Sequence, residues 1–354
     1  MKTSTFARFV APSVLLMLSL LAMPLAVTFY LSVRNCTFDM ETVTVQQSSP
    51  FGTTETTTQR ARVDADGKPI QNCRFVGTAY FKSVLGLTGE SGQASGAAQE
   101  PPAQTAGSDT AASGTSTNAA KAASQNSQEF IGALRFTLLY TLVTTPLVII
   151  FGFFIALGVH HSAQRLKPIF ITLSLLPFII TPIVGALAIK WLFRDGGLVP
   201  HVLSQFGLSI YWMAEAWSAR LLVILYGVWQ STPFAFIVFY AGLQSVPQDS
   251  LEAATIDGAT RWQKLIYITL PHLMPLVLFV ALIKIMDSYR VFEPVVVLTQ
   301  GAFTTSVQYL TYHILSVENN PYKASASAVL TTLGIGVLII PMLYKTWKEQ
   351  RSGR

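Results

Sequence analysis

The sequence predicts an all-α membrane protein with six transmembrane helices, both termini cytoplasmic and a long extracytoplasmic loop between helices one and two. Three observations carry this. Hydrophobic residues make up 51% of the 354-residue chain and charged residues only 12%, where a soluble domain holds about 25% charged. The mean hydropathy is +0.46, and the apolar residues gather into six runs long enough for a ~30 Å hydrocarbon core. Inside such a core every backbone polar group must be satisfied within the segment, so each run should be helical. The net charge of +6 is a matter of topology, since Lys and Arg mark the cytoplasmic side of the spans. It is no nucleic-acid footprint.

The first run, Phe9–Val33, follows Lys2 and Arg8 in the manner of a signal peptide. Its apolar stretch is longer than the usual 7–15 residue h-region and lacks a convincing small-x-small cleavage site, so it reads as an uncleaved anchor. Residues 1–33 thus form an N-terminal transmembrane helix. Residues 34–128 form the loop, and it has two characters. Up to about Leu87 it contains aromatic and β-branched residues and both cysteines, enough for a small cap. Cys36 and Cys73 either bridge, as the extracytoplasmic setting permits, or remain two thiols that share a loop. From residue 88 to 128 the chain is nearly all Ala, Gly, Ser, Thr and Gln. Such a composition buries too little apolar surface to offset ordering entropy, and a flexible insert is expected.

Five further runs follow: Phe130–Val159, Ile169–Phe193, Leu221–Gln244, His272–Leu298 and Ala324–Trp347. With residues 129–347 as the core and 348–354 as a cytoplasmic tail, the inner side collects Arg165, Lys167, Arg261, Lys264, Lys345, Lys348, Arg351 and Arg354. Fewer basic residues flank the spans outside: Arg34, Arg194, Arg220 and Lys323. Prolines inside the runs, among them Pro24, Pro146, Pro177, Pro182, Pro233, Pro275 and Pro341, predict kinks.

Between spans four and five, residues 246–271 read as a short helix, a glycine break, a second amphipathic stretch and a proline stop at Pro271. Gln248, Asp249 and Ser250 suit a helix start, with the carboxylate at the positive end of the dipole. Ala253 and Ala254 leave a small flat surface, and Gly258 permits a sharp turn. Trp262, Leu265, Ile266 and Ile268 supply an apolar side expected to face the membrane domain, leaving Arg261 and Lys264 exposed. From physics alone, an interfacial loop helix explains this segment as well as a docking element does.

In span five, Lys284, Asp287, Arg290 and Glu293 recur every three residues with alternating sign. Neighbours three apart on a helix touch, so one reading is a self-neutralising ladder. The other has Lys284, Asp287 and Arg290, with Tyr289, lining a cavity on the substrate pathway, because ionisable groups at this depth face a cavity or another helix. Lys190 in span three reads as a snorkelling residue.

Resemblance to a known family sharpens the picture. Glu252-Ala253-Ala254, Asp257-Gly258-Ala259, and then Ile268, Leu270 and Pro271, resemble the "EAA" motif of binding-protein-dependent ABC permeases. Gly227-Val-Trp-Gln-Ser-Thr-Pro-Phe234, Ala241-Gly-Leu-Gln-Ser-Val-Pro247, Asp287-Ser-Tyr-Arg-Val-Phe292 and Leu298-Thr299 are similar to the carbohydrate branch, of the maltose and glycerol-phosphate type. The resemblance covers roughly residues 130–341. It departs at Gln300-Gly301-Ala302, where the branch usually carries Gly-Gly-Pro, and in its larger insert after span one.

The resemblance implies a multi-pass subunit of the bacterial inner membrane that takes up a sugar or sugar-like solute. It implies partnership with two ATP-binding cassette subunits, a second homologous permease subunit and an extracytoplasmic solute-binding protein. Glu252, Ala253, Ala254, Asp257, Gly258 and Ala259 would then be the ATPase-docking surface. The chain itself has no Gly-x-x-x-x-Gly-Lys-Ser/Thr, so ATP and magnesium are expected on the ATPase partner. Neither a catalytic constellation nor a metal-binding spacing occurs in the sequence, and the adjacent His160 and His161 point to different helix faces. Import of amino acids, peptides or ions, and a stand-alone channel, are the alternative readings.

Overall fold

The computed structural model describes residues 3–38, 40–49, 52–64, 71–85, 87, 114–207 and 209–352. It divides into two units: residues 1–128 with 314–330, and residues 129–313 with 331–354.

The first unit begins with α1 (Thr3–Ser32), whose stretch Ala11–Ser32 is long and apolar enough to cross a membrane. Its large apolar side chains, among them Leu16, Met17 and Met23, are exposed, as befits a helix whose solvent is lipid. Four strands follow: β1 (Arg34–Phe38), β2 (Met40–Ser49), β3 (Gly52–Ala61) and β4 (Gln71–Phe75). They form two antiparallel pairs, β1 with β4 and β2 with β3. Alternating Thr, Val and Gln favours an extended ribbon, and the expectation of an all-α chain is corrected here. Register places Cys36 opposite Cys73, and the two are joined by a disulfide. Helix α2 (Ala79–Leu85) buries Tyr80 and Val84. Tyr80 stacks on Tyr322 at 6.3 Å, and the Tyr322 hydroxyl donates to the Cys36 carbonyl at 2.9 Å.

Helix α3 (Gly114–His161) enters the second unit. It starts well before the apolar stretch that opens at Gln128, so the flexible insert expected through residue 128 ends sooner. Alanine-rich sequence propagates a helix once a stable turn adjoins it. Residues 88–113, the rest of that expected insert, lie outside the described residues.

The third run is not one kinked helix. It splits into α4 (Lys167–Ile179) and α5 (Pro182–Phe193), continued by α6 (Leu198–Gln205), and the two halves meet at 96°. Pro182 cannot supply the amide that would close the preceding turn, so the helix ends at Ile179 and restarts on the proline. Helix α7 (Ala216–Gln244) is the most buried of the spans, with Leu222, Val223, Phe236 and Phe239 in the core.

After α7 come α8 (Gln248–Ile256) and α9 (Arg261–Lys264), then a π-helical turn at Leu265–Thr269 that runs directly into α10 (Leu270–Tyr289). Pro271 therefore stops nothing. The wider turn, in which Leu270 N–H reaches Leu265 O, carries the helix past the amide Pro271 lacks. Helix α10 ends at Tyr289, short of the expected Leu298, and a second π turn occupies Val295–Thr299. Helices α11 (Val307–Ser316) and α12 (Pro321–Ser352) complete the chain; α12 continues through most of the expected tail. Among the described residues, five stretches can cross a membrane by length and apolarity, or six if the bent third pair is one span.

Glycines mark the close approaches inside the second unit. A Cβ on Gly242 would meet Leu273 and Leu276, one on Gly152 would meet Ala235, and one on Gly227 would meet the Tyr140 hydroxyl.

Candidate functional site

Two features lie at opposite ends of the continuous helical path Arg261–Tyr289. At its start is an exposed elbow. Helix α8 has no buried residue, and Glu252, Ala253, Asp257 and Gly258 are exposed while Ala254 and Ala259 are half-buried. Gly258 makes the bend with φ +78°, a backbone state that costs other residues roughly 1–2 kcal/mol. Thr260 then caps α9 through a reciprocal capping box with Gln263, which satisfies amides at a helix start. Lys264 Nζ ties the two helices together by donating to Thr255 Oγ1 at 3.0 Å. The apolar side expected to pack on the membrane domain does so only in part: Trp262 is 68% exposed and Ile266 50%, while Leu265 and Ile268 are half-buried. Leu265 does turn inward, lining a groove between the elbow and the ends of α3 and α7.

At the other end is a cavity of about 410 Å3. Lys284, Asp287, Arg290 and Glu293 all line it, although they do not form a ladder. With α10 ending at Tyr289, Arg290 is the cap and Glu293 sits in the connection beyond. Lys284 is buried, and its Nζ donates to Ser231 Oγ at 2.6 Å and to Asp287 Oδ2 at 3.2 Å. The Asp287 side chain is 64% exposed. Among the described residues Arg290 and Glu293 form no ion pair, so their charges stay available to the cavity. Tyr289 belongs elsewhere: it is buried, with its hydroxyl against Gly334, and does not line the cavity.

The opposite wall comes from α7 and the broken third span. A break leaves carbonyls without intrahelical partners, and in a membrane these need other donors. Gln230 Nε2 donates to one of these, Ile180 O, at 3.3 Å, and Tyr226 donates its hydroxyl to Pro182 O, in the first turn of α5, at 2.5 Å. The same segment of α7 supplies Ser231 to Lys284, and Gly227 admits Tyr140. The stretch Tyr226–Ser231 therefore braces the break and supplies a partner to the buried Lys284 of the cavity. The sequence carried this signal in that motif, but it did not reveal Tyr140, Tyr226, Gln230 or Ser231 as individual lining residues. Lys190 also departs from its expected snorkelling role. Its Nζ donates to Val297 O at 2.7 Å, anchoring the π turn of residues 295–299 to α5.

Beyond the cavity the connection is held by its backbone. Gln300 and Gly301 both adopt positive φ, 51° and 81°. Tyr309 donates to Gln300 O at 2.7 Å, and Arg220 Nε donates to Phe303 O at 3.1 Å. Gln300 thus stands in a left-handed position where the resembling branch carries glycine.

The family model described as "Binding-protein-dependent transport system inner membrane component" matches residues 119–352. The chain belongs to this family. As a binding-protein-dependent transport component it is a multi-pass membrane protein, in keeping with its five or six apolar spans. It is 34% identical over 194 residues to the probable ABC transporter permease protein y4oQ of Sinorhizobium fredii, covering 53% of this chain and 62% of that protein's length. It is 30% identical to the arabinooligosaccharides transport system permease protein AraP of Halalkalibacterium halodurans, over 61% of this chain and 71% of the relative. Among solved structures, a bacterial ABC transporter involved in alginate import shares the fold. Its TM-score is 0.58 at 23% identity, with 62% of this chain and 80% of that chain covered. These relatives are transport permease subunits rather than enzymes.

Proposed function

We propose that this chain is the membrane-spanning permease subunit of an ATP-driven importer, and that it carries a sugar or sugar-like solute (a polyol or glycoside) across the bacterial inner membrane by alternating access. Two ATP-binding cassette subunits, a second permease subunit and an extracytoplasmic solute-binding protein would complete it. ATP and magnesium would be held by the cassette subunits. The observation that carries this reading is the single helical path from an exposed elbow to a polar cavity. The elbow, from Glu252 to Ala259, is the ATPase contact, and with both termini cytoplasmic it lies on the ATPase side. Closure of the ATPases would move the elbow, and the rigid path would carry that motion to the cavity wall.

The cavity suits a solute rich in hydroxyls, because hydroxyls both donate and accept. Asp287 accepts, Arg290 donates, and Gln230 and Ser231 do either. The names of relatives support the class: AraP is named for arabinooligosaccharides and the Thermococcus litoralis relative MalF for trehalose and maltose.

The test is ATP hydrolysis by the complex that co-purifies with the chain, reconstituted in lipid and presented with sugars, polyols and glycosides alongside amino acids. Stimulation by a member of the first group is expected. Stimulation by amino acids alone would contradict the substrate class, and the absence of any co-purifying ATPase would contradict the importer.

A further inference from the structure

A second concavity of about 680 Å3 lies beside the elbow, separate in its lining from the solute cavity. Its interior is apolar: Leu243 and Val246, both 4% exposed, line it together with Leu157 and Leu265. Arg261 and Lys264 bring positive charge to its lining, which also includes His160 and His161. Glu252 is the one acidic residue lining it, and among the described residues it pairs with neither Arg261 nor Lys264.

The position of this groove along the membrane normal follows from helix length. The stretch Arg261–Tyr289 has 29 residues, roughly 43 Å at 1.5 Å per residue. That matches a bilayer with both headgroup layers, about 40–45 Å, so Arg261 and Lys264 lie at headgroup depth. Trp262, 68% exposed between them, is the residue type that settles at this interface. An apolar trough with basic side chains beside it at the phosphate level has the two-part chemistry of one ligand.

We infer that this groove is a binding site for an anionic phospholipid, its headgroup phosphate at Arg261 and Lys264 and an acyl chain along Leu157, Leu243 and Leu265. A basic residue at a membrane surface contributes about 1 kcal/mol toward an anionic headgroup, or about five-fold in affinity. Arg261 and Lys264 together then favour an anionic over a zwitterionic lipid about twenty-five-fold. Glu252 and Thr255 belong both to the groove lining and to the proposed ATPase contact, so the lipid is tested on the chain without its ATPase, where failure of the proposed function leaves the readout unchanged.

The full-length chain, purified in detergent, is titrated with phosphatidylglycerol and with phosphatidylcholine of the same acyl chains, and lipid adducts are counted by native mass spectrometry. The intact chain should retain phosphatidylglycerol selectively. Arg261→Gln with Lys264→Gln should abolish the selectivity, whereas Arg261→Lys with Lys264→Arg should keep it. Each single glutamine variant should lose about five-fold, a readout that remains if the pair does not fold. Equal retention of both lipids by the intact chain, or unchanged selectivity in the glutamine variants, would overturn the assignment. So would displacement of the lipid by millimolar glycerol phosphate, which would mark a soluble phosphate as the ligand.

Discussion

The two ends of the path Arg261–Tyr289 are built on opposite principles. At the elbow, α8 buries nothing, Gly258 bends in open space, and Trp262, Ile266 and Tyr267 stand exposed. At the cavity, most polar groups are answered within the chain: Lys284 by Ser231 and Asp287, the broken span by Tyr226 and Gln230, and the π turn by Lys190. The exposed end suits the ATPase contact proposed for it, and the braced end suits a proposed cavity that holds its shape while a small solute enters. The difference also explains why the elbow is a short contiguous motif, whereas the cavity draws residues from α3, α5, α7, α10 and α11.

This contrast can be probed from either side. The largest effect is expected at the tight crossing of α3 and α7. Gly227→Ala places a methyl on the Tyr140 hydroxyl, and overpacking of this kind costs about 1–3 kcal/mol. Thermal melting should drop, and Tyr140→Phe in the same chain should recover part of the loss, because the hydroxyl is the nearest atom in the way, with Cζ behind it. No recovery would mean the crossing is not set by that contact.

Next come the cavity charges. Asp287→Asn and Arg290→Gln each remove a charged hydrogen-bonding partner, worth about 1.5–3 kcal/mol. The apparent affinity for the transported solute should weaken about ten-fold or more in at least one of them, with complex assembly intact. Unchanged affinity and rate in both would take them off the pathway.

The elbow should respond more mildly to loss of its cap. Thr260→Ala removes the capping box and should destabilise α9 by about 1 kcal/mol, read as faster local amide exchange over residues 260–264. The smallest effect should be a gain. Gln300→Gly relieves a left-handed residue at φ 51°, and about 0.5–1 kcal/mol of added stability is expected once the entropy of a glycine in the unfolded chain is set against it. A loss on this substitution would mean the Gln300 side chain holds the connection in a way its backbone does not.

The sequence was most legible where the physics is local. Apolar runs locate the spans because span length is set by bilayer thickness. The elbow is legible because Gly258 and the Thr260–Gln263 box act within a few residues. Legibility failed where long-range partners decide. Pro177 and Pro182 read as kinks, yet a 96° break is braced by Tyr226 and Gln230, distant in the chain, which donate to carbonyls on either side of Thr181. Lys284, Asp287, Arg290 and Glu293 looked like a ladder because their spacing is helical, and that spacing cannot show that the helix ends at Tyr289. Trp262 and Ile266 read as a buried face because apolarity does not distinguish a protein neighbour from lipid or a docking partner. Pro271 read as a stop because a π turn, set by residues before it, is not visible in periodicity.

If the elbow transmits force and the cavity selects the solute, the two roles should separate in a single variant. Uptake and ATP hydrolysis are measured in the same proteoliposomes with Gly258→Pro in place. Proline cannot adopt the φ of +78° found at Gly258, so the elbow should change shape while the cavity, at the far end of the path, does not. The expected result is an assembled complex that hydrolyses ATP without uptake and binds solute with unchanged apparent affinity. Normal uptake by that variant, or a shifted solute affinity with coupling preserved, would contradict this division of roles.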